Sequence, residues 1–387
     1  MWAYVVRRLA YSIPVYLGII LFVMVALRVN DPVSAYLGKN ASEESIRLRR
    51  ESMGLARPLL PIGRYDATYT TKPWLKVAWT KREKEGEEVA TGIGLYNPLD
   101  SQYVEFVWRV FTLNFGDASS TDPRDRFESW KYQGQPVGQK LREAIGPSLS
   151  VTIPAAFLST IVSISAGMVS AFFRGRLVDR LLMFFVVLGM SVSVLVFIIL
   201  GQKFGGYWLK EATGLNLFAA SGYEAWTRWG SIDLGILSLP YPVSVSPAAW
   251  AHHCLLPVLI YVIVAMGYDT RFYRAVMVEE TTRDYITTAL AKGATRPKIM
   301  FVHMLKNAMI PIITRVMITL PFLIAGSILM EYQFRIPGMG KLILDAIRDK
   351  DFPIIQTFTA MFAAIFILSN ILTDVLYAVV DPRVRLR

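Results

Sequence analysis

Two short stretches of the 387-residue chain contain residue types that bind phosphate or metal in other proteins. The segment IPGMGKL, around Lys341, is close to a phosphate-binding loop, but Leu342 stands where a Ser or Thr hydroxyl must meet Mg²⁺. His252, His253 and Cys254 are potential metal ligands, yet three adjacent residues on a helix point in divergent directions. We therefore expect neither an ATP site nor a metal site in this chain.

Two ionisable residues, Arg315 and Asp374, fall inside apolar stretches, where a charged side chain is a functional candidate by default. Each lies near one end of its stretch, which favours a side chain that reaches towards the membrane interface or forms a structural ion pair. Small polar residues of other apolar stretches either line a path or hold helices together. These residues are Ser159, Thr160, Ser163 and Asn370. Without paired carboxylates or a nucleophile motif, an intramembrane enzyme is a weak alternative.

The composition is that of an integral membrane protein with substantial water-facing parts. Hydrophobic residues make up 53% of the chain, charged residues 18%, and the mean hydropathy is positive. The formal charge is +11, but the basic residues flank apolar runs and form no patch with aromatic side chains. This distribution argues against a nucleic-acid partner. With a single cysteine, the chain cannot form an internal disulfide.

Six apolar stretches of about 20 residues are candidates for membrane-spanning helices, which predicts an all-α membrane fold. The first follows Arg7 and Arg8, as in a signal peptide, but no small-residue cleavage site comes after it, so we expect an uncleaved anchor. The fourth stretch is the least apolar. The six are Leu9–Arg28, Leu149–Phe173, Leu181–Leu200, Leu255–Gly267, Ile312–Met330 and Ile355–Val380.

The positions of Lys and Arg predict the orientation, because these residues cross the membrane poorly in short flanks. The side richer in them, which we take as cytoplasmic, holds Arg7, Arg8, Arg174, Arg176, Arg180, Arg271, Arg274, Arg283, Lys292, Arg296, Lys298, Lys306, Arg383, Arg385 and Arg387. The opposite short loops hold Lys203, Lys210, Arg228, Arg335, Lys341, Arg348 and Lys350. Both termini are therefore expected in the cytoplasm. The long segment between the first two stretches is then outside, where it forms a small folded cap or meets a partner.

The segment between the fourth and fifth stretches predicts a helix, a tight turn and a second helix. Gly293 lies where a left-handed residue ends a helix, and Lys292 is near the negative end of the helix dipole. Thr295 is placed to cap the next helix with its hydroxyl, and Pro297 is tolerated in a first turn. Two interpretations remain open: a hairpin that packs on the other helices, or a rigid basic element that docks onto a cytosolic partner.

The same segment carries the strongest resemblance to a known family. DYITTALAKGATRPKIMFVHMLKNAMIP, Asp284 to Pro311, is similar to the cytoplasmic EAA loop of ABC importer permeases, specifically the B-type subunits of oligopeptide, dipeptide and nickel importers. EYQFRIPGMGKLILDAIRDKDFP and DVLYAVVDPRVR also resemble that family, as do the opening residues with DPVSAYLG, and NFGDAS before the second stretch. Where the general pattern has Glu-Ala-Ala, this chain has Thr287, Thr288 and Ala289, so the acidic member is absent.

The resemblance implies roles for individual residues of the EAA loop. The short helix around Gly293 would be a coupling helix that docks into a groove on a cytoplasmic ATPase. The implied contact residues are Ala289, Ala291, Lys292, Gly293 and Arg296, and the implied supporting residues are Asp284, His303, Asn307 and Pro311.

The resemblance also implies the architecture and the partners. Residues 1–28 would form the N-terminal end and first span, 29–146 an extracytoplasmic segment, and 147–387 a permease core whose coupling loop covers about 271–311. The partners would be a second homologous permease subunit, two cytoplasmic ATPase subunits that bind ATP and Mg²⁺, an extracytoplasmic substrate-binding protein, and the lipid of a bacterial cytoplasmic membrane. No cofactor is expected in this chain, and it would not be an enzyme by itself.

Two segments, about 62–102 and 204–250, look longer than the family usually has. They either contact the substrate-binding protein or are lineage-specific additions. Peptides are the substrate that the resemblance favours, although nickel and other solutes are carried by related proteins. The competing class is a stand-alone secondary transporter or channel, which would need a buried ion relay near the bilayer midplane, and the six stretches offer none there.

Overall fold

The computed structural model describes residues 2–28, 33, 42–53, 55, 57–64, 75–84, 87–97, 100–116, 127–132, 135–225, 227–233, 238–325 and 327–380. Some residues used in the sequence predictions lie outside these ranges: most of DPVSAYLG, part of NFGDAS, and the end of DVLYAVVDPRVR with Arg383, Arg385 and Arg387. The chain divides into two compact units. The larger comprises residues 1–6, 143–344 and 365–387, and the smaller comprises residues 7–142 and 345–364.

Helices form most of the described chain. The α-helices are α1 (Trp2–Ala26), α2 (Glu43–Ser52), α3 (Gln102–Thr112), α4 (Val137–Phe172), α5 (Leu177–Ser191), α6 (Val194–Gly201), α7 (Leu209–Thr213), α8 (Pro247–Thr281), α9 (Asp284–Ala291), α10 (Arg296–Lys298), α11 (Leu305–Asn307), α12 (Met309–Ala325), α13 (Ile328–Phe334), α14 (Met339–Asp349) and α15 (Phe352–Val380). Two π-helical segments, Gln202–Trp208 and Ile299–Met304, continue α6 and α10.

Four helices are long and apolar enough to cross a membrane, namely α1, α4, α8 and α15. These correspond to the first, second, fourth and sixth predicted spans, and α8 extends the least apolar candidate to 35 residues. Two further helix pairs pass the same test together but are bent, by 95° after α5 and by 60° before α12. By length and composition the described chain therefore has four spans, or up to six if each bent pair is one span.

The third and fifth predicted stretches are not continuous helices. Between α5 and α6, Val192 (φ −97°, ψ 131°) and Ser193 (φ −60°, ψ 141°) have extended backbone. A β-branched residue and a hydroxyl side chain both weaken a helix here, because one restricts χ1 and the other competes for backbone hydrogen bonds. The fifth stretch is divided where α12 ends at Ala325, before the separate short helix α13 begins at Ile328.

Strands occur only within the two segments that the sequence marks as expanded, as far as the described residues show. In the first, β1 (Ile62–Arg64), β2 (Leu75–Lys84) and β3 (Glu87–Leu95) form an antiparallel sheet in the order β1-β3-β2. Lys84 pairs with Glu87 at the end of the β2–β3 ladder. In the second, β4 (Thr227–Asp233) pairs with β5 (Ser238–Val245). The helical prediction therefore describes the apolar part of the chain, and each expanded segment adds an antiparallel hairpin.

In the smaller unit, the carboxylate of Asp351 holds the segment that precedes α4. It accepts hydrogen bonds from the Ser129 hydroxyl and from the backbone N–H groups of Trp130 (3.2 Å) and Lys131 (3.3 Å). Asp351 is fully buried, and the indole of Trp130 packs on Phe352 with ring centroids 5.2 Å apart. These contacts favour a folded cap as the interpretation of the segment between the first two spans.

In the larger unit, a glycine-rich turn surrounds the buried carboxylate of Glu331. This carboxylate accepts hydrogen bonds from the Ser148 hydroxyl (2.7 Å) and the Lys341 N–H (3.1 Å), while Ser148 accepts one from the Met339 N–H (2.7 Å). Burial raises the pKa of Glu331, although these donors act in the opposite direction. The stretch that is close to a phosphate-binding loop in sequence therefore holds a carboxylate of its own chain at the N-terminus of α14, where the helix dipole favours an anion.

We predict that Gly338→Ala destabilises the larger unit, because the added Cβ would lie 2.5 Å from Ser148 Oγ and 2.6 Å from Glu331 Cδ. Overpacking of this kind costs about 1–3 kcal/mol. Thermal unfolding of the detergent-solubilised protein should therefore show a lower melting temperature. Gly146→Ala in α4 is the matched control, because no atom lies within 4 Å of its added Cβ. Equal melting temperatures for the two variants would contradict the prediction.

Candidate functional site

The chain between α8 and α12 contains two helical arms joined by a tight turn, and we call residues 284–307 the elbow. The sequence predicts that the first helix runs up to Gly293, but α8 ends at Thr281 and α9 begins at Asp284. The interruption is at Arg283, whose backbone is extended with φ −78° and ψ 145°. The first arm of the elbow is therefore a short separate helix, and not a continuation of the preceding span.

Two side-chain contacts bridge this interruption. The guanidinium of Arg283 pairs with Glu279 at 2.6 Å, although both side chains are exposed and the pair contributes little to stability. The hydroxyl of Tyr285 donates to the carboxylate of Glu280. Burial, followed by this hydrogen bond, raises the pKa of Tyr285 to about 12, so its hydroxyl stays protonated and remains a donor at neutral pH.

Gly293 ends the first arm as the sequence predicts. Its φ is +77°, a left-handed conformation that glycine adopts without steric cost. The N–H of Gly293 donates to the carbonyl of Leu290 (2.9 Å), and the N–H of Ala294 donates to the carbonyl of Ala289 (3.0 Å). This pair of bonds is the Schellman arrangement, which satisfies the last carbonyls of the helix and fixes the angle at which the chain leaves it.

The second arm begins after Thr295, with Pro297 in its first turn, as predicted. The predicted capping by the Thr295 hydroxyl is wrong, because that side chain makes no capping hydrogen bond. The arm then becomes π-helical from Ile299 to Met304, and Asn307 near its end donates its amide to the carbonyl of His303 (3.0 Å). Backbone geometry at the turn, and not a side-chain cap, starts this arm.

The inner face of the elbow packs against the C-terminal ends of α4 and α8, and we call this set of residues the elbow cluster. Its buried members are Met168 and Ala171 of α4, Tyr273 and Met277 of α8, Ile286, Ala289, Ile299, Met300 and Met304 of the elbow, and Ala308 and Ile312 beyond it. The two long helices approach closely here, since a Cβ added to Gly167 would lie 2.9 Å from the backbone nitrogen of Arg274. The elbow is therefore anchored to two candidate spans at once.

A buried ion pair fixes the same end of these helices. Arg274 donates from Nε to one carboxylate oxygen of Asp179 and from Nη2 to the other, each at 2.8 Å. Asp179 also accepts hydrogen bonds from the Ser170 hydroxyl and from the N–H of Gly175 (2.9 Å). The pair joins α4, α5 and α8. From the sequence, Arg274 served only to predict the orientation of the chain. Asp179, an acidic residue within the basic segment that contains Arg174, Arg176 and Arg180, was the feature that could have suggested an ion pair there.

The predicted contact residues divide between the two faces of the elbow. Ala289 is buried in the elbow cluster, so it supports the fold of the elbow and does not form its surface. Ala291, Lys292, Gly293 and Arg296 are exposed, and the guanidinium of Arg296 lies 5.9 Å from the ring of Phe172. Among the predicted supporting residues, Asp284 and Asn307 are exposed, and His303 and Pro311 are half-buried.

One exposed residue of the elbow was not identified from the sequence. Leu290 leaves 53% of its surface exposed, in the last turn of α9 and beside Ala291 and Lys292. A leucine within a helical pattern is normally predicted to be buried. Only the packing of α9 shows that Leu290 lies on its exposed side. Near the turn, the exposed face of the elbow therefore combines an apolar side chain with the basic residues Lys292 and Arg296.

Arg315 and the two histidines have contacts within the chain. Arg315 forms the ion pair that the sequence favoured: its Nε donates to Oδ1 of Asp269 (2.9 Å), and its Nη2 lies 2.8 Å from the same oxygen. His252 and His253 bond to the carbonyls of Leu217 and Ala249 respectively. Cys254 is buried, and within the described ranges no group of three possible ligands is placed to hold a metal.

Comparison with known proteins shows the family to which the chain belongs. A family model described as "Binding-protein-dependent transport system inner membrane component" matches residues 163–386. A probable peptide ABC transporter permease protein of Sinorhizobium fredii is 31% identical over 387 residues, covering 100% of both chains. A dipeptide transport system permease protein of Lactococcus lactis is 32% identical over 293 residues, which is 76% of this chain and 83% of that protein.

A relative of lower identity is named for the transport of glutathione. A glutathione transport system permease protein of Shigella flexneri is 27% identical over 384 residues, covering 99% of this chain and 98% of that protein. The family match includes the elbow, the Asp179–Arg274 pair and the Glu331 turn. The chain belongs to the family of binding-protein-dependent transport system inner membrane components, which are the permeases of ABC importers.

Proposed function

We propose that this chain is a permease subunit of an ATP-driven importer for peptides in a bacterial cytoplasmic membrane. It would work with a second homologous permease, two cytoplasmic ATPase subunits that bind ATP and Mg²⁺, and an extracytoplasmic substrate-binding protein. The family supports the importer, and relatives whose names specify peptide, dipeptide and glutathione transport support the substrate class. In this proposal both termini and the elbow are cytoplasmic, and the hairpins of residues 62–102 and 204–250 are on the outer side.

The observation that carries the proposal is the two-sided structure of the elbow. One side is buried against α4 and α8, and the other presents Leu290, Ala291, Lys292 and Arg296 to solvent. An exposed apolar side chain next to basic residues is suited to a groove on another protein, with the apolar residue as the buried contact. The elbow would therefore dock onto an ATPase subunit.

The anchoring of the elbow supports a mechanical role. ATP binding would draw the ATPase subunits together, and each docked elbow would move with its ATPase. Because the elbow cluster is close-packed, the displacement would pass to α4 and α8 and would not be absorbed by side-chain rearrangement. The Asp179–Arg274 pair would make α5 move with them. ATP would thus shift the balance between inward-facing and outward-facing states of the permease pair, and hydrolysis would reset it.

Co-purification tests the proposal against a stand-alone transporter or channel. We expect the tagged chain to bring down ATPase subunits from its native membrane, and the reconstituted complex to take up peptides only when ATP and the binding protein are supplied. The physical reason is that ATP bound by a separate subunit can move the permease only through a docked contact, which the elbow would supply. ATP-independent uptake by the purified chain alone would contradict the proposal.

Replacement of Gly293 should uncouple the elbow. A β-branched residue is strained at φ +77°, so Gly293→Val would displace the turn that fixes the angle between the two arms. We expect at least a tenfold loss of ATPase binding and of uptake, because about 1.4 kcal/mol of lost docking energy is a tenfold change in affinity. Gly214→Val is the control, since Gly214 also has a positive φ, +71°, with open space around an added Cβ, but lies after α7 on the proposed outer side. Equal effects of the two variants would show general destabilisation and would contradict the coupling role.

The apolar residue on the exposed face should contribute to docking. Leu290→Asp would place a desolvated charge in the contact, so we expect ATPase binding in detergent to weaken at least tenfold. Leu215→Asp is a matched control, because Leu215 is 56% exposed, against 53% for Leu290, and lies in the loop after α7 on the proposed outer side. Unchanged ATPase binding by Leu290→Asp, measured by surface plasmon resonance with the solubilised chain, would show that this face is not the docking surface.

A further inference from the structure

Two ion pairs of the larger unit differ in how fully their carboxylates are satisfied. In the Asp179–Arg274 pair both carboxylate oxygens are bonded by the guanidinium, and the carboxylate receives two further hydrogen bonds. In the Asp269–Arg315 pair, Nε of Arg315 donates to Oδ1 and Nη2 lies against the same oxygen. Within the described part of the chain, no hydrogen bond reaches Oδ2 of Asp269 or leaves Nη1 of Arg315. The second pair therefore retains an unused acceptor and unused donors.

The exposure of Arg315 indicates where these unused groups point. Its side chain is 36% exposed, and that of Asp269 is 13% exposed. Both residues belong to candidate membrane spans, where a charged side chain faces a water-filled cavity or another protein and not lipid. The partly exposed guanidinium of Arg315 therefore faces a cavity or another protein.

The pair is also placed where movement of the elbow would reach it. Asp269 is on α8, which leads into the elbow, and Arg315 is on α12, which leads out of it. At 1.5 Å per helical residue, Asp269 is about 18 Å from the end of α8 and Arg315 about 9 Å from the start of α12. The pair therefore connects the two helices that the elbow joins. A displacement that separates these helices would change the geometry of the pair.

We propose that Arg315 is a binding site for the carboxylate of the transported peptide, with Asp269 as the positioning residue that orients its guanidinium. This inference rests on the proposed peptide-import function. The free donors of Arg315 on Nη1 and Nη2 match the two oxygens of a carboxylate, which guanidinium binds through parallel hydrogen bonds. Asp269 holds the guanidinium of Arg315 by its Nε–H. Its negative charge also lowers the free-energy cost of burying the guanidinium. Phe272, whose ring centre lies 5.9 Å from the guanidinium carbon of Arg315, supports the guanidinium on one side.

The test compares uptake of peptides with free and amidated C-termini by the complete importer in proteoliposomes. The probe is a mixture of two- to five-residue peptides, each present in both forms, with internal peptide quantified by mass spectrometry. The readout is the ratio of free-acid to amide uptake in each variant divided by the wild-type ratio. Any preference of the binding protein itself cancels in this quotient, because the same binding protein is used throughout.

We expect Arg315→Gln to lower this quotient about tenfold, since loss of a charge-assisted bidentate contact removes about 1.4 kcal/mol or more of selective binding. Arg315→Lys should give an intermediate value, because an ammonium keeps the charge without the paired donors. Asp269→Asn should also lower the quotient, through a misoriented guanidinium. Arg271→Gln is the matched control: it removes a positive charge two positions from Asp269, at an exposed residue outside this pair, and should leave the quotient at one.

Each remaining outcome has a distinct meaning. A wild-type quotient in Arg315→Gln overturns the inference, and so does an equal decrease in Arg271→Gln. If Arg315→Gln and Arg315→Lys both prevent assembly with the second permease, measured by size-exclusion chromatography, the pair belongs to the subunit interface and the inference is also overturned. Failure of the wild-type complex to take up any peptide would instead reject the proposed substrate class, and this inference with it.

Discussion

The close packing of the elbow against the C-terminal ends of α4 and α8 is the constraint on which the functional argument depends. Gly167 allows these two helices to approach until their backbones nearly touch, and the elbow cluster fills the space beside that contact. A close-packed apolar cluster does not deform locally without loss of dispersion contacts. A force applied to the exposed side of α9 is therefore delivered to two candidate spans, and the rigid turn at Gly293 keeps the two arms of the elbow from moving independently.

Three carboxylates in the apolar part of the larger unit are compensated by their neighbours in three different ways. Both carboxylate oxygens of the buried Asp179 are bonded by Arg274, and loss of the partner of such a buried charge typically costs about 3–5 kcal/mol. Glu331 has no cationic partner and is held by a hydroxyl and by backbone N–H groups at a helix N-terminus. Asp269 and Arg315 are only partly satisfied. The first two arrangements are structural, and the third leaves bonding capacity for another molecule.

Interruptions of the helices separate the parts of the larger unit that turn from the parts that span. The bend after α5 and the break at Arg283 occur where the backbone leaves helical geometry for one or two residues. The π-helical segments Gln202–Trp208 and Ile299–Met304 shift the register of side chains without ending the helix. One of them lies in the second arm of the elbow. It brings Ile299, Met300 and Met304 to the buried side, whereas Phe301 and Val302 remain exposed.

The sequence by itself determined the features that depend on local or compositional physics. Four apolar runs emerge as long helices because burial of backbone hydrogen bonds leaves no other structure for them in lipid. Gly293 ends its helix because few other residues tolerate a left-handed conformation. The sequence also contains the family pattern around residues 284–311. Leu342 likewise shows from the sequence alone that IPGMGKL does not fit a phosphate-binding loop.

Only the tertiary structure decided which side chains meet and which face of each helix is free. Ala289 and Leu290 are neighbours in the predicted contact region, yet one is buried in the elbow cluster and the other is exposed. The sequence does not indicate which carboxylates pair with Arg274 and Arg315, because these partners lie 95 and 46 positions away. The use of IPGMGKL as a cradle for Glu331 likewise depends on Ser148, 183 positions from that carboxylate. Such pairings are set by how the helices pack, and no local periodicity or propensity encodes them.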